Sequence, residues 1–158
     1  MTDEQHPATV DDRADAPIEV ALAVQQLYGR HFRAIDRGDG TAWARTFTDD
    51  GEFHSPSYER PACGRDELTA FGDAFGTGAA ARREVPRHVL TNLHVGEGDR
   101  PGHVVATGYL SIVVTDAAGV RTLRMTVITD DIVRGDDGIY RIARRRVAPD
   151  TVARQPTG

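Results

Sequence analysis

The sequence predicts an α+β domain in which helices come first along the chain and an antiparallel sheet follows. Two observations support this class. Apolar residues recur with a 3.6-residue period from Ile18 to Ile35, and short β-branched or alternating segments dominate from residue 88 onward. Turn residues separate these later segments at short intervals, which is typical of an antiparallel meander. We therefore expect a layer of helices packed on one sheet.

The first two helices are predicted from periodicity and glycine punctuation. The apolar face of residues 18–35 defines the longer helix, and Gly38 and Gly40 end it. A shorter helical stretch follows, in which Trp43 and Phe47 are four residues apart and share a face. The two helices should form a hairpin.

A short strand and a third helix complete the first half of the domain. Glu52–Ser55 follows a turn cluster and is predicted as a strand, and Pro56–Gly64 as a loop. Asp66 is predicted to cap the third helix, which Gly76 and Gly78 should terminate. The four later strands are predicted at His88–Val95, Val104–Thr115, Arg121–Val133 and Tyr140–Val147.

The composition excludes several kinds of chemistry. All nineteen basic residues are arginine, and the only cysteine is Cys63. The absence of lysine excludes Schiff-base chemistry and a P-loop, and one cysteine excludes an intrachain disulfide or a multi-cysteine metal site. The net charge is −5 with both signs interspersed, whereas nucleic-acid binding needs a concentrated basic stripe. We expect no nucleic-acid partner.

The chain divides into three parts. Residues 1–16 are acidic and have few large apolar side chains to bury, so we expect a disordered leader. Residues 17–150 form the single domain, and residues 151–158 a flexible tail. No apolar stretch approaches the roughly 18 residues of a membrane span, and the start lacks the features of a signal peptide. A cytoplasmic protein with no membrane partner is the expectation.

Asp36 is the first candidate catalytic residue. It lies at the end of the first helix, on the border of the apolar face. The negative end of the helix dipole and partial burial both disfavour the ionised form, which is how a protein prepares a general acid or base. A solvated aspartate in a turn is the alternative.

Three further candidates lie on the predicted strands. His88 opens a strand and could exchange a proton near neutral pH, and Asn92 on the same face could polarise a carbonyl group. Tyr109 interrupts an aliphatic strand and could place its hydroxyl inside a cavity. A structural hydrogen-bond partner is the commoner role of a strand histidine.

Other residues are predicted to bind substrate or to stabilise the fold. The predicted pocket residues are Tyr28, His31, Phe32, Trp43, Phe53, Tyr58 and Met125. Strand alternation turns Arg145 away from Arg144 and Arg146, so we expect ion pairs with nearby acids such as Asp130 and Asp131. No histidine spacing indicates a metal site, and no cofactor motif is present, so neither a metal nor a cofactor is expected.

Four blocks of the sequence resemble the SnoaL-like group of the nuclear transport factor two-like superfamily. They are residues 27–39, 43–51, 87–92 and 130–147, so the resemblance covers about residues 18–150. It implies a cone-shaped roll of three N-terminal helices packed on a curved, mainly antiparallel sheet, with an apolar pocket at the wide end and a homodimer formed through the sheet. Members include polyketide cyclases, scytalone-dehydratase-like lyases and isomerases, most of them without cofactors.

The resemblance also implies a function. In the dehydratase and cyclase branches, an aspartate at the end of the first helix and a histidine opening a later strand face the pocket, and these positions match Asp36 and His88. Dehydratase-like relatives often have tyrosine at the position of His31, so this chain departs from their pattern of tyrosine-assisted dehydration. The similarity to small actinomycete proteins of aromatic-polyketide pathways implies a cofactor-independent cyclase, or a related lyase or isomerase, acting on a small hydrophobic metabolite.

Two other functions are compatible with the same fold. One is a non-catalytic protein that binds a small molecule or assists an oxygenase, since fold does not fix function. The other is the small subunit of an aromatic-ring dioxygenase, which the sequence favours less because it gives no hint of a permanent large-subunit interface.

Overall fold

The computed structural model describes residues 12–151 and confirms the α+β class. Within these residues, three helices pack on a curved six-stranded sheet. The helices are α1 (Ile18–Asp36), α2 (Gly40–Ala44) and α3 (Gly64–Ala81). The strands are β1 (Phe47–His54), β2 (Ala62–Cys63), β3 (Val85–Glu97), β4 (His103–Asp116), β5 (Gly119–Arg134) and β6 (Tyr140–Pro149).

The sheet has the strand order β2-β1-β6-β5-β4-β3. The four later strands form the predicted antiparallel meander, whereas β1 pairs with β6 in parallel. The core lies between the helices and one face of this sheet, where Leu27 of α1 belongs to the same buried cluster as Ile128 and Ile132 of β5. The opposite face of the sheet carries no helix within residues 12–151, and several large apolar side chains are exposed on it.

A β-bulge at Asn92 changes which side chains of β3 face the helices. Two residues of β3 lie opposite one residue of β4 at this point, and Asn92 adopts a φ of +52°, which asparagine tolerates better than most residues. The bulge reverses the alternation, so that Leu93 and Val95 join Leu90 against the core. Asn92 itself is exposed. The prediction that Asn92 shares the inward face of His88 is therefore wrong.

The α3 helix continues past Gly76 and Gly78, where the sequence predicts its end. Gly72 and Gly76 lie against the connection between α1 and α2, so close that a Cβ at Gly72 would lie 2.6 Å from the Cα of Gly40. A Cβ at Gly76 would clash with Gly38, which also has a φ of +70°. These glycines allow two backbones to touch instead of ending the helix.

Other boundaries also differ from the prediction, and among them β2 lies within the predicted loop Pro56–Gly64. Phe47 begins β1 instead of extending α2, although its ring still packs on Trp43 with ring centroids 4.9 Å apart. The α3 helix begins at Gly64, and Asp66 lies in its first turn. The backbone N–H of Cys63 donates to the carboxylate of Glu67 at 2.9 Å. The side chain that accepts a hydrogen bond at the start of the helix is therefore Glu67 and not, as predicted, Asp66.

Residues 12–16, predicted as part of a disordered leader, pair with the end of β3. The N–H of Ala16 donates to the carbonyl of Val95 at 2.9 Å, and the N–H of Glu97 donates to the carbonyl of Ala14 at 2.8 Å. Because β3 is an edge strand, its unpaired backbone groups can accept another extended segment. The rest of the predicted leader, residues 1–11, and the tail residues 152–158 lie outside the described residues.

Candidate active site

An inner pocket of about 60 Å³ lies between the helices and the sheet. Aromatic and aliphatic side chains form most of its wall, and His88, Arg124, Thr126 and Arg145 add polar groups. The predicted pocket residues that line it are His31, Phe32, Trp43, Phe53 and Tyr58. Phe71 and Phe75 of α3 complete the aromatic wall, which the sequence did not identify because it depends on how α3 is seated.

Asp36 and His88 form a hydrogen-bonded pair beside the inner pocket. The imidazole Nδ1 of His88 lies 2.7 Å from Oδ1 of Asp36, and the backbone N–H of His88 donates to both carboxylate oxygens at 3.1 and 3.2 Å. Each side chain is 10% exposed. When Nδ1 donates to Asp36, Nε2 is left for a group in the pocket.

The pair is positioned by the ends of two elements. Asp36 is the last residue of α1, and His88 lies near the start of β3. The ring of Phe32, one turn before Asp36, stacks on the imidazole with centroids 5.7 Å apart and an interplanar angle of 11°. His88 lines the pocket, whereas Asp36 lies behind it. The carboxylate therefore orients the imidazole and does not itself reach the pocket.

A buried ion pair lies beneath the same pocket. The guanidinium of Arg145 donates through Nε and Nη2 to the two oxygens of Asp130, at 2.8 and 2.6 Å, and Tyr28 donates its hydroxyl to Asp130 at 2.8 Å. The guanidinium also lies over the ring of Phe32, 5.2 Å from its centroid. The predicted pairing of Arg145 with Asp130 is confirmed. The sequence did not predict that Arg145 lines the pocket. The only indication was that strand alternation turns Arg145 away from Arg144 and Arg146.

His31 is held as a neutral imidazole. Its Nε2 accepts from Nε1 of Trp43 at 3.0 Å and from Nη1 of Arg145 at 2.6 Å, and both of these groups can only donate. The proton of His31 is therefore on Nδ1, which donates to Oγ1 of Thr46 at 2.7 Å. Burial, followed by the nearby charge of Arg145, holds the pKa of His31 well below its ordinary value. His31 is a fixed part of the wall.

Tyr28 does not line the pocket, in contrast to the prediction. Its side chain is completely buried beneath Arg145, where the hydroxyl is used by Asp130. Burial and then the adjacent Asp130 carboxylate raise its pKa well above the ordinary value of tyrosine. The phenol therefore stays protonated and stabilises the ion pair.

Tyr109 and Met125 are also misplaced by the prediction. They lie on the outer face of the sheet, where they are 48% and 43% exposed. Because successive side chains of a strand alternate, their neighbours Leu110 and Thr126 take the inward positions and line the pocket. The hydroxyl of Tyr109, the thioether of Met125 and the amide of Asn92 therefore do not reach the pocket.

A wider outer cleft of about 560 Å³ adjoins the inner pocket. The two cavities share five lining residues: Tyr58, Phe71, Phe75, Ile112 and Arg124. A ligand could therefore occupy the outer cleft and extend one end past these residues toward His88.

The described part of the chain shows neither a metal-binding cluster nor a membrane-spanning helix. Across residues 12–151, no group of three or more His, Cys, Asp or Glu side chains is arranged to hold a metal ion. Over the same residues, no helix combines the length and apolar character needed to cross a bilayer.

The family of the chain follows from comparison with known proteins. Residues 16–146 match the family model described as the SnoaL-like domain. This chain belongs to the SnoaL-like family. The predicted family is thereby confirmed, and so is the roll of three helices on a curved sheet. No curated protein sequence matches the chain significantly.

Several solved structures share this SnoaL-like fold. ActVI-ORFA from Streptomyces coelicolor is 29% identical, with 86% of this chain and 98% of that chain covered and a TM-score of 0.76. A Catenulispora acidiphila protein in complex with S-DNPA is 30% identical, with coverage of 83% and 93% and a TM-score of 0.71. Rv3472 from Mycobacterium tuberculosis, a protein of unknown function, is 29% identical, with coverage of 90% and 83% and a TM-score of 0.75.

Proposed function

We propose that this SnoaL-like protein is a cofactor-independent cyclase, or a closely related lyase or isomerase. Its substrate would be a hydrophobic, oxygenated intermediate of bacterial natural-product biosynthesis of the polyketide type. The observation that carries the proposal is the Asp36–His88 pair, with its imidazole against an apolar pocket. The complex of the Catenulispora protein with S-DNPA supports small-molecule binding within this fold.

His88 acts as the general base in this proposal. Asp36 holds Nδ1, so Nε2 is directed at the ligand and takes a proton from the carbon next to a carbonyl group. The imidazolium that forms is stabilised by the carboxylate and by the negative end of the α1 dipole. A positioned acid–base group of this kind contributes a rate factor of about 10²–10⁴.

The cyclisation closes without any external reagent. The enolate carbon attacks a second carbonyl carbon of the same molecule, a carbon–carbon bond forms, and the electron pair of that carbonyl moves to its oxygen. The imidazolium of His88 then returns the proton to this oxygen. Arg145 lines the pocket wall, where the guanidinium N–H groups that Asp130 and His31 do not use donate to the oxygen that gains charge. The aromatic walls hold the substrate in its folded, reactive conformation.

Proton transfer can be tested without knowing the natural substrate. With 1-tetralone in D₂O, we expect the protein to accelerate deuterium incorporation at the carbon next to the carbonyl, measured by NMR. His88→Ala should abolish the acceleration, and Asp36→Asn should lower it by about 10²-fold. His94→Ala is the matched control, because His94 also pairs with an aspartate, Asp15, but lies outside the pocket. Wild-type rates in both the His88 and the Asp36 variants would refute the proposal.

A binding protein without catalysis is the second candidate. The observation that favours it is the small volume of the inner pocket, since ligand sites usually enclose about 300–1,000 Å³ and, of the two adjoining cavities, the outer cleft reaches that volume but the pocket beside His88 does not. Such a protein would bind 1-tetralone in calorimetry without accelerating deuterium exchange. Its affinity for 1-tetralone would also be unaffected by Asp36→Asn, because the carboxylate does not line the pocket.

A further inference from the structure

The outer cleft carries more positive than negative charge. Three arginines and one glutamate line it: Arg82, Arg121, Arg124 and Glu84. Glu84 accepts from Nε of Arg82 at 2.8 Å and from Nη2 of Arg121 at 2.7 Å, and Asp116 lies 3.6 Å from Arg121. Arg82 and Arg121 are therefore already compensated by carboxylates.

Arg124 differs from the other two arginines. Its Nη1 donates to Oγ of Ser57 at 2.8 Å, and among residues 12–151 no carboxylate lies within ion-pair distance of its guanidinium. It lines both the inner pocket and the outer cleft, so its charge lies at their junction. The hydroxyl of Ser57, which lines neither cavity, accepts the bond from Arg124 and so positions its guanidinium.

A second β-bulge gives Arg124 this position. Ile112 of β4 pairs with Arg124, whereas Val113 pairs with Thr122, so Leu123 is an extra residue in β5. In a regular strand, Arg121 and Arg124 would face opposite sides of the sheet because they are three positions apart. The bulge brings both arginines to the cleft.

We propose that Arg124, positioned by the hydroxyl of Ser57, binds a carboxylate group of the ligand at the junction of the two cavities. A guanidinium binds a carboxylate through two parallel hydrogen bonds, and a single uncompensated charge matches a monoanion. The ligand is then an aromatic acid whose rings lie against Phe71 and Phe75 while its reacting end points toward His88. This assignment of the substrate class builds on the proposed function.

Calorimetry with two matched probes tests the assignment. The probes are 1-naphthylacetate and its neutral analogue 1-naphthylacetamide, titrated at pH 7.5 and low salt into the full chain. The acid should bind about tenfold more tightly than the amide, and Arg124→Gln should remove this preference by weakening binding of the acid far more than binding of the amide. Arg121→Gln is the matched control and should keep the preference, because the charge of Arg121 is compensated by Glu84.

Several outcomes would overturn the assignment. They are equal affinity for the two probes in the wild-type protein, no binding of the acid, an unchanged preference in Arg124→Gln, or an equal loss in Arg121→Gln, which would indicate a diffuse electrostatic effect. The His88→Ala variant should keep the preference for the acid. A protein that prefers the acid but fails to exchange the protons of 1-tetralone would contradict the proposed catalysis and leave the carboxylate site in place.

Discussion

At the scale of single residues, His31 shows how a buried network fixes a protonation state. Two donors, Trp43 and Arg145, point at Nε2, so a proton on that nitrogen would displace both. The pKa of His31 is held well below 6.5, with burial as the main cause. His31 and His88 therefore differ in role although both line the inner pocket, because no donor from residues 12–151 is directed at the second nitrogen of His88.

The low pKa of His31 predicts a pH dependence of stability. In the unfolded chain a histidine titrates near 6.5, whereas folded His31 stays neutral, so unfolding takes up a proton below about pH 6.5. The stabilisation is complete above pH 6.5 and is lost as the pH falls, by up to about 1.4 kcal/mol per pH unit. Urea unfolding at pH 7.5, 6.5 and 5.5 should show the stability advantage of the wild type over His31→Gln shrinking with acidification. A constant difference would contradict this explanation.

At the scale of elements, glycines on α3 determine how closely the helices approach each other. Gly72 and Gly76 are one turn apart and contact the backbone of Gly40 and Gly38, so α3 is seated directly on the α1–α2 connection. This seating brings Phe71 and Phe75 into the wall of the inner pocket. Close helix packing and the aromatic wall of the site therefore depend on the same glycines.

Two glycine-to-alanine substitutions separate packing from helix propensity. Both Gly29 and Gly76 lie inside helices, where alanine is favoured by about 1 kcal/mol. A Cβ at Gly29 would meet nothing within 4 Å, so Gly29→Ala should raise the free energy of unfolding by about that amount. Gly76→Ala should lower it, because the new methyl group meets the backbone of Gly38. Thermal unfolding of the two variants measures this, and a stabilised Gly76→Ala would show that the contact relaxes without cost.

Local patterns predicted the elements that local forces determine. The period of α1 and the alternation of the four later strands are visible in the sequence because one face of each element is buried. The parallel pairing of β1 with β6 and the bulges at Asn92 and Leu123 arise from contacts distant in sequence, so no local signal indicated them. The end of α3 was missed because Gly76 has a packing role that only the fold reveals.

The same distinction explains which site residues were predicted. Asp36 and His88 are 52 positions apart, and the resemblance to a family, added to their local positions, identified them as a pair. Tyr109 and Met125 were misplaced because both faces of β4 and β5 carry apolar side chains, so alternation could not show which face was inward. Arg124 was not identified because its inward position depends on the bulge at Leu123.

At the scale of the whole molecule, the outer face of the sheet is an exposed apolar surface. Val89 and Met125 flank Ser111 in one row across β3, β4 and β5, and Tyr109 lies two residues along β4 from Ser111 on the same face. The three apolar side chains are each more than 40% exposed. Adjacent exposed apolar residues of this kind mark interaction surfaces. We propose that a second copy of the chain covers this face, because a sheet face can pack on itself about a twofold axis.

Substitution on this outer face should separate the two copies without affecting the pocket. Sedimentation equilibrium should give twice the chain mass of 17.2 kDa for the wild type and the single-chain mass for the double variant Tyr109→Glu, Met125→Glu. The charges would lose hydration at the interface, whereas in the monomer both positions face water. Leu22→Glu is the control, since Leu22 is a 61% exposed apolar residue of α1 and should leave the dimer intact. Because the inner pocket lies on the opposite face of the sheet, the double variant should still bind 1-naphthylacetate with wild-type affinity. A wild-type protein at 17.2 kDa, or a dimeric double variant, would rule out pairing through this face.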